Sequence, residues 1–147
     1  MAAQSSATTV WEGGLAHGAG TTTPASGAFP AVDVSWASRT SRAAGKTSPE
    51  ELLAAAHASC FCMALSHELG EAGTPPERLE ATASVDFEPG EGVRSSHIVV
   101  RGRVTGIDQD TFSDAARSAS EGCPISGALK GNIDITAEAT LESWRDG

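Results

Sequence analysis

The run Thr47-Ser48-Pro49-Glu50-Glu51-Leu52-Leu53 constrains this chain more than any other segment. Ser48 is of the type that accepts a hydrogen bond from the free N–H groups at a helix start. Pro49 already has the helical φ and lacks an N–H that would go unpaired there, and Glu51 stands at the capping-box position. A helix is predicted from Pro49 over about 20 residues, to Gly70 or Gly73, and Pro75-Pro76 prevent its continuation. Its small residues (Ala54, Ala55, Ala56, Ala58, Ser59, Ala64) permit another element to pack closely against its backbone.

The segments on either side of this helix read mainly as strands. Thr8 to Leu15 reads as a short strand with a Gly13-Gly14 turn, and the Gly/Thr/Pro/Ser-rich stretch from Gly18 to Pro30 reads as a hairpin loop. Ala31 to Ser38 sets Val32, Val34 and Trp36 against Asp33 and Ser35, the period-2 pattern of a half-buried strand. Arg78 to Phe87 alternates again, Glu88 to Gly92 reads as a turn, and His97 to Val104 gives another strand. Asp108 or Asp110 is placed to cap a helix over Thr111 to Ser120, ended by Gly122, with a short helical turn from Cys123-Pro124 through Leu129. Ile133 to Leu141 alternates as a last strand. The order β-β-α-β-β-α-β predicts an α+β fold with antiparallel strands.

A length of 147 residues fits one domain, here 9–147 behind a flexible N-terminus at 1–8, and is long enough to bury about two-thirds of its unfolded surface. Apolar residues make up 39% of the chain, and no apolar run approaches the ~18–20 residues of a membrane span, so a soluble chain is expected. Met1 to Thr9 has neither a basic region nor an apolar core, which excludes a secretory leader in this stretch and points to the cytoplasm. A net charge of −9, with Lys only at 46 and 130, argues against nucleic acid and anionic membrane partners.

Three cysteines in a reducing compartment point to redox chemistry more than to lasting disulfides. Cys60 and Cys62 lie two apart on the long helix and point roughly 200° away from one another, so C-x-C is a weak metal or disulfide signal. On helical pattern alone either can be a buried small hydrophobe. Cys123 is different: bracketed by Gly122 and Pro124 at a helix start, it sits where backbone N–H groups favour a thiolate. A bond between Cys60 and Cys123 would span 63 positions and stabilise the fold by roughly 4 kcal/mol. His17, His57, His67 and His97 show no regular metal-ligand spacing, and His57, near Cys60 on one helical face, reads more as a satisfied helix histidine than as a base. Glu50 lies about 15 Å along the axis from Cys60, so within one helix the two cannot share a site. Packing two such helices antiparallel about a twofold axis would bring Glu50 of one chain toward Cys60 of another.

Thr47 to Leu52, Ala55-Ala56-His57-Ala58-Ser59-Cys60-Phe61, Gly70-Glu71-Ala72-Gly73 and Gly122-Cys123-Pro124-Ile125-Ser126, together with Trp11-Glu12-Gly13, resemble the OsmC/Ohr family. Trp36-Ala37-Ser38-Arg39 before the helix is nearer the OsmC branch. The resemblance implies an intertwined homodimer of antiparallel β-sheets packed on long central helices. It also implies a thiol peroxidase that reduces organic hydroperoxides and, less well, hydrogen peroxide, with no cofactor and no metal. Carried over residue by residue, Cys60 matches the peroxidatic cysteine, Cys123 the resolving one, and Arg39 and Glu50 the charged pair that activates the peroxide. A guanidinium beside Cys60 would lower its pKa, the Cys60 sulfenic acid would condense with Cys123, and an external dithiol, of the lipoyl type by family analogy, would reset the disulfide. Cys62 departs from the family pattern and reads as a spare buried thiol or as an alternative resolving partner after local unfolding. The competing readings are a non-enzymatic homodimeric stress, redox-sensing or binding protein, and a small metal-binding protein.

Overall fold

The computed structural model describes residues 2–42 and 45–142. The chain divides into two compact units, Met1–Leu52 and Leu53–Gly147.

In the first unit, β1 (Ala7–Glu12), β2 (Ala19–Pro24) and β3 (Val32–Val34) form an antiparallel sheet in that order. β2 lies inside the stretch predicted as loop. Its Thr21-Thr22-Thr23 run is β-branched and pairs with β1, and the hydroxyls of Thr9 and Thr22 meet at 2.7 Å. Glycine is required at position 18 because a Cβ there would run into the backbone oxygens of Glu12 and Gly14. The strand-like alternation after Ala31 also breaks early, since Ser35 and Ser38 form a reciprocal capping box at 2.9 and 3.0 Å and start helix α1 (Trp36–Ser41).

Helix α2 (Pro49–Glu71) starts where predicted. Ser48 Oγ accepts from the Glu51 N–H at 3.0 Å, whereas the Glu51 carboxylate accepts from the Thr47 hydroxyl at 2.6 Å and from Arg42 at 3.0 Å. Its end is a Schellman motif: Gly73 takes φ +84°, its N–H bonds the Gly70 carbonyl, and the Thr74 N–H bonds the Leu69 carbonyl at 2.9 Å. By length and composition α2 does reach the threshold of a membrane span, with a mean hydropathy of 1.2, contrary to the expectation from apolar runs. Alanines raise that mean without forming an unbroken greasy run, and core helices of soluble proteins reach the same value.

In the second unit, β4 (Arg78–Glu88), β5 (Gly92–Arg103) and β6 (Asp134–Leu141) form a sheet with β5 in the middle. β4 and β5 make the predicted antiparallel hairpin, but β6 runs parallel to β5, a correction to the all-antiparallel expectation. The chain between them passes through α3 (Gln109–Gly122) and α4 (Pro124–Leu129), a crossover long enough to return the strand in the same direction. Phe61, Leu65 and Leu69 of α2, Ile98 and Val100 of β5, and Phe112, Ala116 and Ala119 of α3 form the core. Spacings of four on α2 and of four and three on α3 place each set on one helical face, and a step of two does the same on β5. Gly102 belongs to this face because a Cβ would overlap the Phe112 ring.

Candidate active site

Cys123 takes its conformation from its neighbour. Pro124 opens α4, and the residue before a proline is driven out of the helical region, so Cys123 sits extended at φ −67°, ψ 122°. It ends α3 and caps α4 at once, and it is 1% exposed. Cys60, half-buried on α2, hydrogen-bonds the Cys123 sulfur, so the second unit brings together the two thiols that the sequence singled out. All three cysteines are free thiols.

The two sulfurs are unequal. Burial raises the Cys60 thiol above its ordinary value and the bond to Cys123 adds to it, outweighing the Ile125 backbone N–H. Burial would also push Cys123 up, but the Ser126 backbone, the Cys60 thiol, the Ser126 hydroxyl and the Ile125 backbone donate to its sulfur and bring it below its ordinary value. The expected lowering of Cys60 is therefore absent. In the reduced pair the negative charge favours Cys123, and Cys60 holds the proton between them.

His57 is fully buried and held at both ring nitrogens, Nδ1 by Ser96 Oγ at 2.6 Å and Nε2 by Ser126 Oγ at 2.8 Å. The sequence reading of a satisfied helix histidine describes this environment. Burial lowers its pKa, so the ring is neutral near pH 7. Neither serine was singled out from the sequence; the one available signal is Ser126 lying three residues after Cys123, one helical turn away. Cys62 bonds the backbone of Ala81, and burial raises its thiol. Among the described residues no group of three His, Cys, Asp or Glu side chains is placed to hold a metal ion.

In the first unit the other two predicted residues also meet. Arg39 donates through Nε to Glu50 Oε1 at 2.9 Å and through Nη2 to Oε2 at 3.0 Å, the bidentate geometry of a fork on a carboxylate. The Glu50 side chain is 8% exposed and Arg39 31%. The Arg39 guanidinium also lies 6.0 Å from the Trp36 ring centroid.

Two hydrogen-bonded thiols, one held below its ordinary value by its donors, and a fixed Arg–Glu fork define a dithiol protein of the α+β class. The family of the OsmC-like protein matches residues 42–138, and the chain belongs to it. Peroxiredoxin OsmC of Escherichia coli (strain K12) is 39% identical over 136 residues, covering 90% of this chain and 93% of that protein. Organic hydroperoxide resistance protein OhrB of Bacillus subtilis (strain 168) is 29% identical over 93 residues, covering 63% of this chain and 68% of that protein. The crystal structure of Bacillus subtilis OhrB superposes with a TM-score of 0.64 over 92% of this chain and 98% of its own, at 26% identity.

Proposed function

We propose that this protein is a cysteine peroxidase that reduces organic hydroperoxides and, less well, hydrogen peroxide. The Cys60–Cys123 thiol pair is the observation that carries the reading, and the names of the Escherichia coli and Bacillus subtilis relatives support it. The Cys60 sulfur attacks the terminal peroxide oxygen, the O–O bond breaks with its electron pair on the departing oxygen, and that oxygen leaves as the alcohol after taking a proton. Cys60 becomes a sulfenic acid. Its thiol proton first passes along the existing hydrogen bond to the Cys123 sulfur, which is the better resting place for negative charge until then.

Arg39 is assigned the peroxide oxygens and Glu50 the task of holding the guanidinium, a role consistent with their bidentate bond. Cys123 is assigned the resolving role, giving a disulfide and water, and an external dithiol of the lipoyl type restores both thiols. The working form is assigned as an intertwined homodimer in the cytoplasm, with 9–147 acting as one domain. The family match runs across both units, and Met63, 73% exposed on the apolar helix α2, is the kind of side chain a second copy would cover.

The test is turnover of cumene hydroperoxide and hydrogen peroxide with a dihydrolipoamide regenerating system. Cys60→Ser is expected to abolish consumption of both, and Cys123→Ser to form a trappable sulfenic acid without cycling. If the parent consumes neither peroxide with any dithiol tried, the peroxidase reading falls and the homodimeric binding or sensing protein replaces it.

A further inference from the structure

The buried hydrogen bonds around Cys123 form a continuous chain: Ser96 Oγ to His57 Nδ1 at 2.6 Å, His57 Nε2 to Ser126 Oγ at 2.8 Å, and the Ser126 hydroxyl to the Cys123 sulfur, which meets Cys60. Ser96, His57 and Cys123 are no more than 1% exposed, and Ser126 is 4% exposed. When Cys60 has become a sulfenic acid, it can no longer share the proton that it held against Cys123. Cys123 must then lose its own proton to attack, and at 1% exposure bulk water does not reach it.

We propose that His57 accepts the Cys123 proton through the Ser126 hydroxyl, so that His57 and Ser126 serve the resolving step. The inference rests on the peroxidase reading above. Ser96 Oγ is placed either to accept from Nδ1–H or to donate to Nδ1; the relay uses the tautomer in which it accepts, with the Ser126 hydroxyl turned from the Cys123 sulfur to the Nε2 lone pair. The Cys123 thiol donates to Ser126 Oγ as the Ser126 hydroxyl donates to Nε2, and transfer along both bonds yields thiolate and imidazolium. The Cys123 sulfur then attacks the Cys60 sulfur. An S–S bond forms, the S–O bond breaks with its pair on oxygen, and the departing hydroxide takes a proton from solvent beside the half-buried Cys60 and leaves as water, while His57 afterwards gives its proton up to solvent. Cys60 is reduced and Cys123 oxidised by the same electron pair, with no outside acid, base or oxidant consumed.

The titratable groups on this path are Cys60, Cys123 and His57, and burial is the influence on the imidazole. That burial keeps the ring a free base at neutral pH, as an acceptor must be. His57 acts on the sulfur only through Ser126, so it is a positioning and proton-holding residue, distinct from the thiols that react.

The experiment is a single turnover. Parent, His57→Gln and Ser126→Ala, each fully reduced, are mixed with one equivalent of cumene hydroperoxide without reductant. The sulfenic acid and the disulfide are counted by mass spectrometry after timed quenching from pH 6 to 9. The parent's disulfide step is expected to be flat with pH down to below about 6.5, the ordinary histidine value. In both variants it should slow about 10- to 100-fold at pH 7, the scale of a lost general base, and rise about tenfold per pH unit until Cys123 ionises unaided. Variants that keep the parent's profile overturn the proposal, as does uniform slowing at every pH, which marks a merely structural role. If neither variant folds, the parent still decides: a disulfide step climbing tenfold per unit up to pH 8.5 overturns it. Failure of the parent to consume the peroxide in this single turnover would sink the peroxidase reading instead.

Discussion

Replacing Arg39 by lysine removes a fork while keeping the charge, and the consequence can be worked from the bond it makes. Arg39 gives Glu50 two charge-assisted hydrogen bonds, at 2.9 and 3.0 Å, and a lysine ammonium reproduces one of them. Such a bond contributes about 1.5–3 kcal/mol, and the lower end applies because the arginine side chain is 31% exposed. About 1.5 kcal/mol of orientation is lost, which corresponds to a roughly tenfold fall in kcat/KM for cumene hydroperoxide. Glu50→Gln keeps one acceptor oxygen and turns an amide N–H2 toward the guanidinium, so it is expected to cost at least as much. Because both changes break one unit, Arg39→Lys/Glu50→Gln should be no slower than the worse single variant. The assay is the peroxide-consumption rate of the parent, the two single variants and the double variant under one reductant concentration. A double variant slowed by the product of the single effects, about 100-fold, would refute the idea that glutamate acts by holding arginine.

Acid is expected to weaken the fold through His57. The ring is harder to protonate in the folded chain than in the unfolded one, so between the folded value and about 6.5 the unfolded chain binds more protons. Stability is intact above about pH 6.5 and falls below it by up to about 1.4 kcal/mol per pH unit; urea midpoints measured from pH 5 to 7.5 that move the other way would contradict this. Gly102→Ala forces a methyl into the Phe112 ring and should cost about 1–3 kcal/mol, read by urea unfolding, and an unchanged midpoint would mean that the ring has room to move. Phe61→Ala, at a fully buried core position, should cost about 3–5 kcal/mol in the same assay. Cys62→Ser should leave peroxide turnover unchanged, because the Cys62 sulfur is bonded to the Ala81 backbone; a large loss would give Cys62 a part in the cycle.

Helix α2 and the β4–β5 hairpin are legible in the sequence because their signals are local: a cap, a first-turn proline, a glycine stop and an alternation interrupted by one turn. β2 is hidden because glycine and proline at its ends and three threonines within it look like loop, and pairing with β1 overrides that impression. Helix α1 is hidden because its start depends on a serine reciprocity inside a strand-like alternation. The direction of β6 is a contest between pairings 39 residues apart in the chain, such as Ser95 with Asp134, and no local pattern records its outcome. The same holds at the site. The meeting of Cys60 with Cys123 and of Arg39 with Glu50 is readable through the motifs that carry the family resemblance. The opposite shifts of the two thiols are not, since they come from donors on α4 that gain meaning only after folding. Ser96 and Ser126 lie 39 and 69 residues from His57, and lone serines leave no periodic trace.

The parallel seat of β6 has a consequence for the chain as it is made. Synthesis delivers β4 and β5 together, and they can zip as a hairpin at once, but the second edge of β5 stays open until Asp134–Leu141 has left the ribosome. During that interval the edge that will receive β6 is a template for any strand nearby. Cys123 travels in the segment that must swing across before the edge is closed. A nascent chain halted between β5 and β6 therefore presents an unpaired sheet edge and unburied cysteine thiols at once, so strand exchange and mixed disulfides with neighbours threaten the same short window of its life.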